Sequence, residues 1–305
     1  MDLKQKYGKV AVIMGGDSSE REISLISGNA VLASLIKSGI DAHAFDPSTR
    51  PLQDLCTNGF VRAVLMTHGP RGEDGTLQGA LEYLRVPYSG SGVMASSIAM
   101  NKYRTKLIWQ ALGIPVANSQ CISKKTRASF KLELSLPVVV KPVDGGSTIG
   151  LTFVTKMEQL TDAINLAFTY DEAVLVEKMI IGPEYTITIC DGVIYPVIQI
   201  VAPQGNYDYQ NKYFTDVTKY ICPIDLGELQ SVVECYAIKA YDAIGARGVA
   251  RLDFMINEKN EVFFLEINTL PGMTGHSLVP MAYNDKGINF DALCLEILDG
   301  ARLGN

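Results

Sequence analysis

Short apolar runs, glycine-rich turns and longer amphipathic stretches alternate along this chain. The run VAVIM at 10–14 reads as a buried strand, and Gly15-Gly16-Asp17-Ser18-Ser19 turns it into a helix over 20–37. Asp41–Phe45 and 63–66 read as further parallel strands, with a helix at Thr76–Leu84. This β-α-β rhythm predicts a small open α/β unit that binds ligands at the carboxyl ends of its strands. After Ser89-Gly90-Ser91-Gly92 come two expected helices, Val93–Met100 and 103–112, the second stopped by Gly113-Ile114-Pro115. A second unit has expected strands at 136–141, 151–154 and Ala173–Lys178 and a helix at 157–168. The third begins near 181, with strands at Glu184–Cys190 and 193–200, a polar and aromatic loop at 202–219 and a helix at 227–244. A hairpin over 248–267 and two C-terminal helices complete it. The expected division is therefore 1–100, 101–180 and 181–305. The first unit is α/β with an open parallel sheet, and the other two are α+β.

Composition narrows the class. Of 305 residues, 47% are hydrophobic and 20% charged, which suits a folded enzyme and not a disordered chain. The net charge of −6 and the lack of any dense Lys/Arg run speak against a nucleic-acid partner. An acidic chain that binds a polyanion must do so through local lysines, backbone amides and metal. No apolar run reaches the ~20 residues of a membrane span. The start, MDLKQKYGKV, runs straight into a strand and has no signal-like apolar stretch. Cys56, Cys121, Cys190, Cys222, Cys235 and Cys294 form no C-x-x-C pair or zinc-ligand spacing, so they read as free thiols of a reducing, cytoplasmic compartment.

The strongest chemical signal is the hairpin ARLDFMINEKNEVFFLEINTLPG. Glu266 and Asn268 are two apart on one strand, as are Arg251 and Asp253 on the other, so each pair shares a strand face. A four-residue turn at 257–260 would set Ile256 against Glu261, Arg251 against Glu266 and Asp253 against Phe264. All four polar side chains would then share one face, with Leu252, Phe254 and Leu265 on the other. Any even turn length keeps this result and an odd one breaks it. Three oxygen donors without His or Cys suit Mg²⁺, an ion usually shared with substrate phosphates. The same face could equally carry solvent-exposed cross-strand ion pairs. The rigid turn Thr269-Leu270-Pro271-Gly272 directly after the carboxylates favours the metal.

Lys141 ends the apolar strand VVVK, and DGGSTIG at 144–150 follows. Such a loop can cradle phosphates through its amides while the lysine adds a point charge, although it is no Walker A loop and could be purely structural. Glu177 ends the run VLVEK, where a carboxylate could accept from an adenine amine or a ribose hydroxyl, or simply be a rim charge. The aromatic loop YDYQNKYF at 207–214 has the character of a lid, or of a surface connection. His68 follows a strand end and is either a ligand contact or a structural histidine. Glu20 and Glu22 open the first helix, where pairing with the helix dipole would account for them. GGDSSE does not match G-x-G-x-x-G, so a dinucleotide site has little support.

A Gly-loop lysine, a domain-end carboxylate, a lid and a D…E-x-N hairpin, in that order, resemble the ATP-grasp superfamily. Over essentially the whole chain the motifs GGDSSEREIS, HG-x-x-GEDGTLQG, PYSGSGVMAS, KP-x-x-GGSTIG, EK-x-x-x-GPE, YDYQNKY, RLDF, LEINTLPGMT and HSLVP are similar to those of D-alanine–D-alanine ligases. Each is moderately specific; their order together is highly so. The resemblance implies a two-unit ATP-grasp fold with ATP between the sheets, behind an N-terminal substrate-binding unit. It also implies roles for particular residues. Lys102, Lys141, Glu177 and Glu184 would contact ATP, Lys178, Met179 and Ile180 would line the adenine cleft, and Lys212 would reach the phosphates. Asp253, Glu266 and Asn268 would hold two Mg²⁺ ions, with Mn²⁺ as a substitute. Glu20 would pair with the ammonium of the first D-alanine and His68 would lie near its carboxylate, with Ser147 and Tyr213 bonding to Glu20 as the lid closes. Arg251 and the Gly272 N–H would form an oxyanion hole, and Ser277 and Leu278 would bind the carboxylate of the second D-alanine.

The implied reaction has two steps, an acyl phosphate formed from D-alanine and ATP and its capture by the amine of a second D-alanine, for peptidoglycan precursor synthesis. A homodimer is the expected assembly. The alternatives are a D-alanine–D-lactate ligase or another ATP-grasp carboxylate–amine ligase; a phenol at Tyr213 favours the dipeptide. A catalytically silent nucleotide-binding regulator would have no need of the full set Arg251, Asp253, Glu266 and Asn268. The chain departs from some family members at Asp144-Gly145-Gly146, which leaves the loop backbone contacts to phosphate, and at Pro70-Arg71, which breaks a glycine run after His68.

Overall fold

The computed structural model describes residues 3–146, 148–201 and 218–304. Ser147 and most of the expected lid, with Lys212 and Tyr213, lie outside the described residues.

The chain opens with a short helix, α1 (Leu3–Tyr7), which the sequence pattern does not announce, ahead of the expected first strand. Five residues make no stable helix alone. This one is held by Tyr7, which is buried and donates its hydroxyl to Asp299 at 2.6 Å. The strands β1 (Lys9–Ile13), β2 (Asp41–Phe45) and β3 (Arg62–Leu65) form a parallel sheet in the order β2-β1-β3. The central strand is apolar at successive positions because helices cover both its faces. These include α2 (Arg21–Lys37), α3 (Asp54–Thr57) and α4 (Thr76–Leu84). Helix α5 (Val93–Met100) leads to α6 (Lys102–Ala111), whose first turn is capped by the Asn101 side chain accepting from the Arg104 N–H.

The second sheet is antiparallel, with strand order β4-β7-β5-β6. Its strands are β4 (Ser119–Ser123), β5 (Val138–Pro142), β6 (Thr152–Val154) and β7 (Ala173–Lys178), covered by α7 (Leu160–Ala167). The sequence gives no warning of β4, since SQCIS buries only Ile122 fully.

The third sheet runs β11-β10-β8-β12-β13, with β9 attached to β8. It comprises β8 (Glu184–Cys190), β9 (Val193–Ile194), β10 (Ile198–Val201), β11 (Lys219–Ile221), β12 (Val249–Ile256) and β13 (Val262–Asn268). The expected strand 193–200 breaks in two around Pro196, which has no N–H to give a ladder. Helix α8 (Gln230–Ala243) follows a single 3₁₀ turn at Gly227–Leu229. The last two helices are α9 (Leu278–Asp285) and α10 (Phe290–Asp299).

The β12–β13 register corrects one expectation in detail. The turn holds five residues, because the Asn257 side chain accepts from the N–H groups of Lys259 and Glu261, both at 2.9 Å, and the strands begin pairing at Ile256 and Val262. An odd turn alone would send Glu266 and Asn268 to the wrong face. A one-residue irregularity at Leu265 restores parity: Phe254 pairs with Phe264, but Asp253 pairs with Glu266 and Arg251 with Asn268. The shared polar face is therefore present, reached by a different register. Leu265 does not join Leu252 and Phe254 in the core but lines the cleft beside Glu266.

One apolar core packs the third sheet against α8 and α6, with Trp109, Ile187, Leu252, Phe254 and Phe264 at its centre. Another joins distant parts of the chain: Val10, Val12, Val31 and Leu35 pack with Cys190, Ile198, Leu293, Cys294 and Leu298. Among the described residues no helix is long and apolar enough to cross a membrane.

Candidate active site

The second and third sheets face each other across a cleft of about 470 Å³, within the range of small-molecule sites. Its walls carry Val139 and Lys141 from β5, Asp144, Gly145 and Gly146 from the following loop, and Glu177 from the end of β7. Lys178, Met179 and Ile180 continue the wall into the turn before β8, and Glu184, Met255, Leu265 and Glu266 face them from the third sheet. The turn must be tight. A Cβ on Gly182 would stand 2.0 Å from the Ile256 carbonyl oxygen, so only glycine lets it pass.

Charge is concentrated at one end. Glu177 is buried and receives two ammonium groups, Lys141 on Oε2 at 2.5 Å and Lys106 on Oε1 at 2.7 Å. Burial alone would raise the Glu177 carboxyl, but the charges of Lys106 and Lys141 bring it down to about 2. Burial likewise works against Lys141, yet Glu177 and Glu266 hold its ammonium above the ordinary lysine value. For Lys106, burial and the neighbouring Lys141 prevail over Glu177 and the group is shifted down. Lys102 bonds to the Gly145 carbonyl and lies 3.4 Å from Glu266 Oε2, tying the glycine-rich loop to β13. Lys178 turns its ammonium away, donating to the carbonyls of Ser135 and Leu136, both at 3.0 Å, so the chain there offers backbone and stem to the cleft.

Deeper on the third sheet, Asp253 faces Glu266 across β12–β13 and Asn268 faces Arg251. Arg251 holds both oxygens of Asp253, at 2.9 and 2.8 Å, and Thr186 donates to Oδ1 at 2.7 Å. The Asn268 side chain accepts from the Leu270 N–H at 3.1 Å, which fixes the turn that follows. Among the described residues no three His, Cys, Asp or Glu side chains gather into a metal site. Two carboxylates and a carboxamide on one face are hard oxygen donors, a set that fits a Mg²⁺ ion completed by phosphate oxygens.

The N-terminal sheet supplies a third group. Glu20 lies at the start of α2 and is buried. Its Oε1 would be 3.5 Å from a Cβ built on Gly146, so this carboxylate stands against the glycine-rich loop. Ser18 bridges to the next strand end by donating to the His68 carbonyl at 2.7 Å. His68 is buried with Nδ1 3.1 Å from Glu73. Burial would lower its basicity, but Glu73 and Glu20 raise it above the ordinary value. Gly272 and Ser277 lie in the turn before α9, and Leu278 is the first residue of that helix. Ser277 is the N-cap residue of α9 and its hydroxyl accepts from the Thr274 N–H at 2.8 Å. The Met273 N–H donates to Ser27 of α2 at 3.2 Å, which seats this turn beside the helix that carries Glu20.

The structure thus gathers Lys102, Lys141, Glu177, Lys178, Met179, Ile180, Glu184 and Glu266 around one cleft, with Arg251, Asp253 and Asn268 on the adjoining strand face. Lys106 is the participant that the sequence reading missed. Its signal was the four-residue spacing from Lys102, which puts both ammonium groups on one face of α6.

Two antiparallel sheets closing on a lysine- and carboxylate-lined cleft, with a glycine-rich loop at its mouth, define an ATP-grasp ligase fold. The family profile "D-ala D-ala ligase C-terminus" matches residues 108–299. A D-alanine–D-alanine ligase of Aromatoleum aromaticum is 50% identical over 98% of this chain and 97% of its own. The crystal structure of D-alanine–D-alanine ligase from Bacillus anthracis complexed with ATP superposes with a TM-score of 0.82 at 32% identity, covering 96% of each chain. The VanG D-Ala:D-Ser ligase of Enterococcus faecalis superposes at 0.83 with 28% identity, covering 96% of this chain and 98% of that one. The chain belongs to the D-alanine–D-alanine ligase family.

Proposed function

We propose that this chain joins two D-alanine molecules into D-alanyl-D-alanine at the expense of ATP, in the cytoplasm and as a homodimer, supplying a peptidoglycan precursor. The reading is carried by the juxtaposition of Glu20 with Gly146: a buried carboxylate suited to a small ammonium stands against the loop that walls the nucleotide cleft. A substrate held there has its carboxylate toward the cleft's phosphate end. The reading assigns 1–100 to the first substrate, and 101–180 and 181–305 to the two sides of the nucleotide.

In the first step a carboxylate oxygen of the first D-alanine attacks the γ-phosphorus of ATP, the bond to the β-phosphate oxygen breaks, and ADP departs. The amine of the second D-alanine then attacks the acyl phosphate carbon, phosphate leaves with the electron pair of the C–O bond, and the amine loses a proton. The work of the protein is positioning and charge neutralisation. Lys102 and Lys141 draw the phosphates, Glu177 and Glu184 the nucleoside, and Lys178, Met179 and Ile180 the base. Mg²⁺ bound by Asp253, Glu266 and Asn268 would neutralise phosphate charge. Arg251 and the Gly272 N–H would face the oxyanion that forms on the attacked carbonyl. Ser277, Leu278 and the positive end of α9 suit the second carboxylate, and His68, with its raised basicity, suits the first. Ser147, Lys212 and Tyr213 keep the roles that the resemblance implies, closing over Glu20 and the phosphates and shielding the acyl phosphate from water.

The test is ADP release from ATP and Mg²⁺ with D-alanine, in parallel with L-alanine, with D-alanine plus D-lactate and with D-alanine plus D-serine, products identified by mass spectrometry. D-alanine-dependent ADP matched by dipeptide is the expected result. Turnover only with a mixed acceptor would replace the second substrate, and no D-alanine-dependent ADP would overturn the substrate assignment.

A further inference from the structure

Lys106 is buried to 2% exposure in the middle of α6, a cost that a lysine bears only for a reason. Its ammonium reaches two elements at once: Glu177 of β7 at 2.7 Å and the Phe264 carbonyl of β13 at 3.3 Å. Those strands belong to the two sheets that wall the cleft. Lys106 itself does not line the cleft, whereas Glu177 and Lys141 do. It stands behind Glu177, one ammonium on each carboxylate oxygen: Lys106 on Oε1 and Lys141, from the cleft side, on Oε2. One turn earlier on the same helix, Lys102 lies 3.4 Å from Glu266. The helix therefore presents one cation to a carboxylate from each sheet.

We propose that Lys106 is a positioning residue for nucleotide binding: from behind the wall it fixes the Glu177 carboxylate, and through it the place at which the Lys141 ammonium meets the phosphates. The idea rests on the cleft being the nucleotide site. Physically, a carboxylate with a single buried cation would close fully onto that cation. With Lys106 present, the charge of Glu177 is shared, and Lys141 keeps attraction to spare for a polyanion. Two ammonium groups on one carboxylate also leave the Glu177 cluster with one cation in excess, which can attract a triphosphate.

The experiment compares Lys106→Met, which keeps the stem and removes the charge, with Lys106→Arg, which keeps the charge. Each is made alone and with Glu177→Gln, and Lys106→Gln serves as a second neutral variant should Lys106→Met not fold. KM for ATP, KM for D-alanine and kcat are measured on the whole enzyme, together with ADP binding by calorimetry and thermal unfolding. Expected for Lys106→Met is a rise of about tenfold in the KM for ATP and in the Kd for ADP, with the KM for D-alanine within about twofold. Lys106→Arg should recover most of the loss, and Lys106→Met should cost little further once Glu177→Gln is present. A lowered Tm with unchanged ADP binding, or equal loss in every kinetic constant, overturns the proposal, as does full additivity with Glu177→Gln. ADP that fails to bind the unaltered enzyme would overturn the cleft reading itself, a result distinct from a variant that binds as well as its parent.

Discussion

A single buried carboxylate makes the residue scale concrete. Glu177 has its folded-state pKa depressed from 4.5 to about 2 by Lys106 and Lys141 against the opposing effect of burial. A depressed acid contributes stability that is present in full above its unfolded pKa and is lost as pH falls through the folded value. The window is therefore from about pH 4.5 down to 2. Glu177→Gln should flatten the acid limb of the unfolding curve there while lowering stability at neutral pH, measured by urea unfolding at a series of pH values. Equal slopes for variant and parent below pH 4.5 would show that other groups govern the acid limb. Lys141 and Glu177 were legible in the sequence because each ends an apolar strand, where a charge stands out. Lys106 was not, because a lysine inside KYRTKLIWQ reads as part of a solvated helix face until the fold puts a carboxylate in front of it. His68 stayed ambiguous for the same reason: its meaning comes from Glu73 and Glu20, of which only Glu73 is near it in sequence.

At the scale of elements, the hairpin β12–β13 shows what periodicity does and does not specify. Two-residue spacing placed Arg251 with Asp253 and Glu266 with Asn268 correctly on shared faces, since that follows from strand geometry alone. The register across the strands depends on how Asn257 folds the turn, and on the extra residue at Leu265, neither of which a polar–apolar pattern encodes. The irregularity puts two neighbours, Leu265 and Glu266, on the same cleft face. Phe264 is fully buried against Trp109 and Phe254, with ring centroids 6.0 and 5.5 Å away, whereas Leu265 faces the cleft. Phe264→Ala should lose roughly 3–5 kcal/mol of stability. Leu265→Ala should unfold within about 1 kcal/mol of the parent yet raise the KM for ATP several-fold. Urea unfolding and steady-state kinetics on the pair decide it. Similar destabilisation by both, with nucleotide binding intact, would mean that Leu265 packs in the core and not toward the cleft. The other departures have local causes too: Pro196 splits a strand, and α1 is held by Lys6 and Tyr7 on Asp299 and by the burial of Tyr7.

For the whole molecule, the sequence yielded three sheets in the right order but not the manner in which the last helices close on the first strands. Ser34 and Lys37 of α2 both bind Asp291 of α10, at 2.7 and 2.6 Å, while Lys6 and Tyr7 bind Asp299. Exposed pairs of this kind add little each. The stability comes from the core beneath them, where Leu293, Cys294 and Leu298 are fully buried. A chain ended after Gly275 should therefore lose cooperative unfolding and bind the apolar dye ANS. Cooperative melting at the parent temperature in such a chain would show that the first sheet is self-sufficient.

That shared core also sets a timetable. Val10, Val12 and Leu35 leave the ribosome early, yet the side chains that cover them belong to α10. At ~5–20 residues per second, the roughly 230 residues between the end of β3 and the end of α10 take on the order of 10–50 s to synthesise. For that interval the nascent chain carries an uncovered apolar surface, so its yield in a cell depends on translation speed and on chaperones that hold such surfaces, even though the finished fold needs neither.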